Sequence, residues 1–237
     1  MTTATLSHQE KPALCNRLKD LTHYSELKRL VYNIVSQQQQ KRFRSLAVLS
    51  AFPMEGKTLF CAAMAMAYVE TCRTNVLVVD ATTYHHPKSL ILKDCLDPTL
   101  GQIEFLSLAD ERSKTNGFHP VPMDAHLTRQ QNSFDTELVK ENGTYVSFVK
   151  DSDHALIRKI AEVDGKPYGL VLLDTVSLMA SNKNNIDPLL VAHLTDASVL
   201  IVSPKLLNSP DLRTTLKVID NPALHLIGIV SNEEFAI

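Results

Sequence analysis

Short apolar runs recur along the chain, each closed by polar or turn residues. The first is Leu46-Ala-Val-Leu-Ser50, followed by Val76-Leu-Val-Val-Asp80, Tyr145–Val149, Leu170–Asp174, Ser198–Val202 and Leu226–Val230. Runs of this length without polar alternation predict strands buried on both faces, the habit of parallel sheets. Helix patterns lie between them. Lys57–Cys72 is rich in Ala and Met, and further helices are predicted near 153–163, 187–194 and 210–219, with Pro210 in the first turn of the last. Upstream, Tyr24–Val35 sets Leu27, Leu30, Val31, Ile34 and Val35 on one helical stripe. Gln37–Gln40 and the basic Lys41-Arg42-Phe43-Arg44 read as its end and a solvated turn.

Strand, loop, helix and strand in succession over 46–80 make a βαβ unit. The sum predicts an α/β protein: a doubly wound, mostly parallel sheet flanked by helices over residues 23–237, with an N-terminal helix at 23–36. Residues 1–22 are polar and lack periodicity, which predicts a flexible arm. Residues 97–143 lack clean periodicity after Gln102–Leu108 and are expected to form a loop-rich insertion.

Composition narrows the function classes. The net charge of −2 gives no electrostatic footprint for nucleic acid, so no nucleic-acid partner is expected. No apolar run approaches the ~20 residues needed to span a bilayer, and the first residues lack the layout of a signal peptide. A cytoplasmic protein is expected, with any recruitment to the inner membrane made through a partner. Cys15, Cys61, Cys72 and Cys95 show no CxxC spacing and are expected to be free thiols in a reducing compartment. His85-His86 is an adjacent pair whose side chains would diverge in an extended loop, so it is not read as a metal site.

The chemistry concentrates after the first run. Ala51-Phe-Pro-Met-Glu-Gly56-Lys57-Thr58 matches a relaxed phosphate-loop pattern: a small residue, four variable ones, then Gly-Lys-Ser/Thr. Amides in such a turn point at a β-phosphate, and the helix dipole favours an anion there. Pro53, Met54, Glu55, Gly56, Lys57, Thr58 and Leu59 are the candidate nucleotide-binding residues, with Lys57 reaching the β/γ oxygens and Thr58 ligating Mg²⁺. Asp80 and Asp174 each end an apolar run. In an open α/β sheet such side chains converge beyond the strand ends, beside the phosphate loop. Together with Thr58 they are the candidate Mg²⁺ ligands, and Lys57, Asp80 and Asp174 are the candidate catalytic residues.

In this order the motifs resemble the cytoplasmic P-loop ATPase domain of bacterial tyrosine kinases (BY-kinases) that act in capsule and exopolysaccharide export, relatives of the partitioning ATPases. Ser50-Ala-Phe-Pro-Met-Glu-Gly-Lys-Thr58 looks like that family's phosphate loop, and Val76–Asp80 with Tyr84-His-His-Pro87 like its second aspartate motif. Gly169–Thr175 resembles the Walker B strand, Thr195–Ser203 a late strand, and Ile227–Asn232 the last strand, whose terminal Asn232 would read adenine. Tyr24-Ser-Glu-Leu-Lys-Arg29 sits where the family has a self-association helix. The resemblance implies ATP or ADP with Mg²⁺ as cofactors, protein-tyrosine kinase or ATPase activity, homo-oligomers, and a transmembrane polysaccharide chain-length or export protein as partner.

The chain also departs from the pattern. Met54 stands at a glycine position, Thr82 where a second aspartate is expected, Tyr84 in place of an arginine, and Val176-Ser177 in place of Pro-Pro. The last tyrosine is Tyr168, so self-phosphorylation on a C-terminal tail is not expected. These changes motivate a second reading, a non-catalytic nucleotide-binding regulator of the same export machinery. A partitioning-type ATPase is a third, weakened by the missing signature lysine at the loop's start.

Overall fold

The computed structural model describes residues 10–81, 95–96, 102–107, 138–141, 144–147, 168–180, 186–206, 209–219 and 224–233. Two helices come first, α1 (Glu10–His23) and α2 (Ser25–Lys41), then β1 (Ser45–Ser50), α3 (Lys57–Cys72), β2 (Val76–Asp80) and β3 (Ile103–Ser107). β4 (Leu138–Glu141), β5 (Thr144–Ser147), β6 (Leu170–Asp174), α4 (Pro188–Leu194), β7 (Ala197–Val202), α5 (Pro210–Ile219) and β8 (Leu226–Ser231) follow.

Six strands form one sheet in the order β3-β2-β6-β1-β7-β8, every neighbouring pair parallel. The central strands β1, β2, β6 and β7 are buried along their whole length, as their unbroken apolar runs predict. Alternate residues feed two cores. Leu46, Val48, Val78, Leu170 and Leu172 pack with α1, α2 and α3 on one face. Ala47, Leu49, Val79, Val171 and Leu173 pack with α4 and α5 on the other. The chain therefore winds over one face through α3 and over the opposite face through α4. The winding reverses between β1 and β6, where doubly wound sheets open a crevice at the carboxyl ends of their strands.

Several boundaries differ from the sequence reading. From Glu10 on, the stretch expected to be a flexible arm is a helix, and Leu18 and Leu21 bury against α3. Its apolar positions are too sparse for a strong helical pattern, but tertiary burial fixes it. Cys15 on α1 is disulfide-bonded to Cys95, with Cα atoms 5.2 Å apart, so two of the expected free thiols are paired. α2 runs on through the glutamines, because Gln38 is used: its amide donates to the Gly169 carbonyl at 3.0 Å and its oxygen accepts from the Tyr68 hydroxyl at 2.7 Å. Ile103–Ser107, inside the expected loop-rich insertion, is an edge strand of the main sheet. The run at Tyr145 belongs to an antiparallel hairpin, β4 with β5, rather than to the parallel series. The intervening Asn142-Gly143 is a strong two-residue hairpin signal. The helix predicted near 153–163 lies outside the described residues. Among the described residues no helix is long and apolar enough to cross a membrane.

Gly169, at the entrance to β6, meets Thr74 closely: a Cβ there would lie 2.0 Å from the Thr74 hydroxyl oxygen. Its N–H and carbonyl also hold Asn75, Gln38 and Tyr68. Gly169→Ala is expected to lower the free energy of unfolding by about 1–3 kcal/mol in urea denaturation. Adding Thr74→Ala should recover part of that loss. A Gly169→Ala protein as stable as wild type would show that the contact is slack.

Candidate functional site

The turn from β1 into α3 uses backbone conformations that few side chains favour. Met54 has φ 63° and Gly56 φ 83°, both left-handed. Glycine adopts this freely, whereas methionine carries a cost of about 1–2 kcal/mol. The Met54 side chain is 73% exposed, so burial offsets none of it. The glycine expected at this position from the sequence resemblance is thus a backbone requirement that Met54 meets under strain.

Hydrogen bonds to neighbouring strands fix the turn. The buried Glu55 carboxylate accepts the Phe52 N–H and the Ser203 N–H, each at 2.8 Å, tying the loop to itself and to the end of β7. The Asn232 side-chain amide donates to the Glu55 carbonyl at 2.5 Å, and its own N–H donates to Val202 at 2.8 Å. Behind the loop, the Met179 N–H donates to the Ala51 carbonyl at 3.0 Å and the Thr175 hydroxyl to Val48 at 2.7 Å. Three separate strand ends therefore hold one turn.

Lys57 begins α3 and is only 8% exposed. Its Nζ donates to Ser50 Oγ at 2.6 Å, and the Ser50 hydroxyl donates to the Phe52 carbonyl at 2.7 Å. Burial pulls the lysine below its ordinary pKa, while the charges of Asp174 and Glu55 oppose that shift. Across from it, Asp80 and Asp174 are direct register partners on β2 and β6, each 3% exposed. Two residues earlier, Val78 and Leu172 face the α3 side of the sheet, so strand alternation puts both carboxylates on that face. Burial pushes Asp174 up to about 7; the neighbouring Asp80 charge adds to this, and Lys57 and the Thr58 hydroxyl oppose it. Asp174 Oδ1 is buried without a hydrogen-bond partner among the described residues.

The predicted residues sort into distinct places. Lys57, Thr58, Asp80 and Asp174 come together. Pro53 and Met54 are exposed on the loop's outer side. Glu55 and Asn232 brace the loop with their side chains, a use that sequence reasoning did not foresee. Leu59 is fully buried in the core and can offer a ligand only its backbone. Thr82, Tyr84 and His85-His86 lie outside the described residues. Ser50, Thr175 and Ser203 were missed as contributors. Ser50 is the one with a signal, since it ends β1 on the face from which Lys57 approaches.

Chemically this is a helix N-terminus beside a buried acid pair. The first amides of a sixteen-residue helix lack internal acceptors and carry the positive end of its dipole. A Mg²⁺ ion bound with phosphates needs only one or two protein carboxylates. The bare oxygen of Asp174 and the Thr58 hydroxyl beside it suit such an ion, with Asp80 adjacent. The residues present fit the group.

Comparison with known proteins supports the fold. No family model matches the chain, and no curated protein matches it. Among solved structures it is similar to the kinase domain of Escherichia coli tyrosine kinase ETK, with a TM-score of 0.56 and 13% sequence identity. The likeness covers 87% of this chain and 73% of that one. At that identity it shows a shared α/β architecture and nothing finer.

The strained turn and the buried acid are each open to test. Met54→Gly removes the left-handed penalty but frees the unfolded chain, so the net gain is expected to be up to about 1 kcal/mol by denaturant titration; a loss of stability would contradict the strain. For Asp174, the folded-state pKa lies above the ordinary value of 3.8. The folded protein then holds more protons than the unfolded chain between about pH 4 and pH 7, and this group's stabilisation is lost as pH rises through that window. Urea denaturation in chelator should show wild type losing stability relative to Asp174→Asn from pH 4.5 to 7.5. A constant difference would refute the assignment.

Proposed function

We propose that this chain binds ATP with Mg²⁺ in the cup between β1 and α3 and transfers the terminal phosphoryl group, as a protein-tyrosine kinase or ATPase of the bacterial tyrosine-kinase type. The carrying observation is the buried ammonium of Lys57 at the start of α3, facing the register pair Asp174 and Asp80. A surface lysine in an ordinary turn has no reason to be buried next to two acids.

Each residue has a task in this reading. The amides of Met54 to Thr58 and the Lys57 ammonium hold β- and γ-phosphate oxygens, with Lys57 exchanging its Ser50 partner for phosphate. Thr58, Asp174 and Asp80 would hold the Mg²⁺, which when bound neutralises charge on the phosphate oxygens. Asp80, next outward from Asp174, accepts the proton of the attacking tyrosine hydroxyl or water. Asn232 keeps the loop in place and stands at the end of β8, within the region where the sequence resemblance puts adenine.

A role in capsule or exopolysaccharide synthesis and export, with a transmembrane chain-length or export protein as partner, is supported by the order of the motifs and by the kinase-type fold. Self-association through α2 is supported by the exposure of Tyr32 on the helix and of Tyr24 just before it, 62% and 44%. A second reading, nucleotide binding without turnover, draws support from the strained Met54 and the internally bonded Lys57.

Purified protein incubated with Mg·ATP should form ADP or phosphotyrosine, and Lys57→Ala should lower the rate by roughly 100-fold or more. Equal rates in the two proteins would overturn the enzymatic reading. A fluorescent ADP analogue that binds wild type, with no turnover by either protein, would establish the regulator instead.

A further inference from the structure

The acid pair does not stand alone at the carboxyl ends of the strands. Ser107 ends β3, and its register partner is Asp80, which in turn pairs with Asp174. Phe105, two residues before Ser107, packs on the α3 side, while Leu106 packs on the other. Alternation therefore places the Ser107 hydroxyl on the same face as both carboxylates. The three form a row, Ser107–Asp80–Asp174, at one level of three adjacent strands.

Ser107 is 5% exposed, and its Oγ has no hydrogen-bond partner among the described residues. A buried hydroxyl with no partner is destabilising, and a strand residue in this place could be apolar without loss of the fold. The other orphaned oxygen of this row is Asp174 Oδ1, so both ends of it are unsatisfied. Two unsatisfied buried oxygens on either side of one carboxylate point to a polar group that occupies the row when the site is filled.

We propose that Ser107 is a positioning residue of the Mg²⁺–nucleotide site, holding Asp80 or a water bound to it. This rests on the nucleotide-binding reading given above. Ser107 lies two strand spacings, about 10 Å, from Asp174 along the backbone. That separation lets its hydroxyl act on the site through Asp80 or water and keeps it from sharing an inner ligand with Asp174. The sequence carried a trace of it. Ile103-Glu-Phe-Leu-Ser107 closes on a polar side chain as Val76–Asp80 and Leu170–Asp174 do.

Calorimetric titration with ADP tests this, in Mg²⁺ and in EDTA, on wild type, Ser107→Ala, Ser107→Val and Ser107→Thr. Wild type should bind ADP more tightly in Mg²⁺. The Ala and Val substitutions should lose on the order of 10-fold of that Mg²⁺-dependent gain, with affinity in EDTA unchanged. Threonine, equal to valine in shape, should restore it through its hydroxyl. Ligand-free Ser107→Ala should melt at or above the wild-type temperature, since it loses only an unpartnered hydroxyl. An unchanged Mg²⁺ gain in every variant would overturn the proposal. So would equal losses in Mg²⁺ and EDTA, or threonine and valine behaving alike, because these mark a packing role. Failure of wild type to bind ADP in either buffer would instead remove the nucleotide reading on which the proposal stands.

Discussion

Two aspartates on adjacent strands, both shut away from water, cannot both carry charge at neutral pH unless cations stand beside them. The carboxyl ends of these strands are arranged around that constraint. Parallel register brings Asp80 level with Asp174. The helix that crosses from β1 to β2 starts at Lys57, so its ammonium and its dipole reach the same spot from the other side. The lysine alone leaves the balance incomplete. Asp174 is pushed up to about 7, and one of its oxygens is left bare.

The turn from β1 into α3 is held partly from outside itself. Glu55 spans from Phe52 to Ser203, and Asn232 reaches the same residue's carbonyl from the end of β8. Those contacts fix the backbone of the turn through the ends of neighbouring strands. They also account for the survival of Met54 in a left-handed conformation. A single strained residue costs about 1–2 kcal/mol, and a set of buried charge-assisted hydrogen bonds exceeds that.

The central sheet was legible because its strands are covered on both faces and so read as unbroken apolar runs. The same feature exposed Asp80 and Asp174, as polar residues that close such runs, and Gly56-Lys57-Thr58 marked the turn. Legibility failed where burial is partial or long-range. β3 carries Glu104 as its second residue, which accepts a hydrogen bond from Tyr168 at 2.5 Å on a half-covered edge, so its run looks broken. α1 owes its order to packing on α3 and to a disulfide whose partner lies 80 residues away. Gln38 looks like part of a polar tract until Gly169 and Tyr68 are placed beside it. The bracing by Glu55 and Asn232 joins positions 177 residues apart, a distance no local pattern reports.

What matters most is whether the turn before Lys57 recognises a diphosphate. Calorimetric titration of the wild-type chain with ADP and with AMP in Mg²⁺ decides it, since the two ligands differ by the β-phosphate alone. A cup built from these amides and this lysine binds ADP at least ~100-fold more tightly, as the loss of several charge-assisted hydrogen bonds requires. Equal affinity for both nucleotides, or heat from neither, would contradict it.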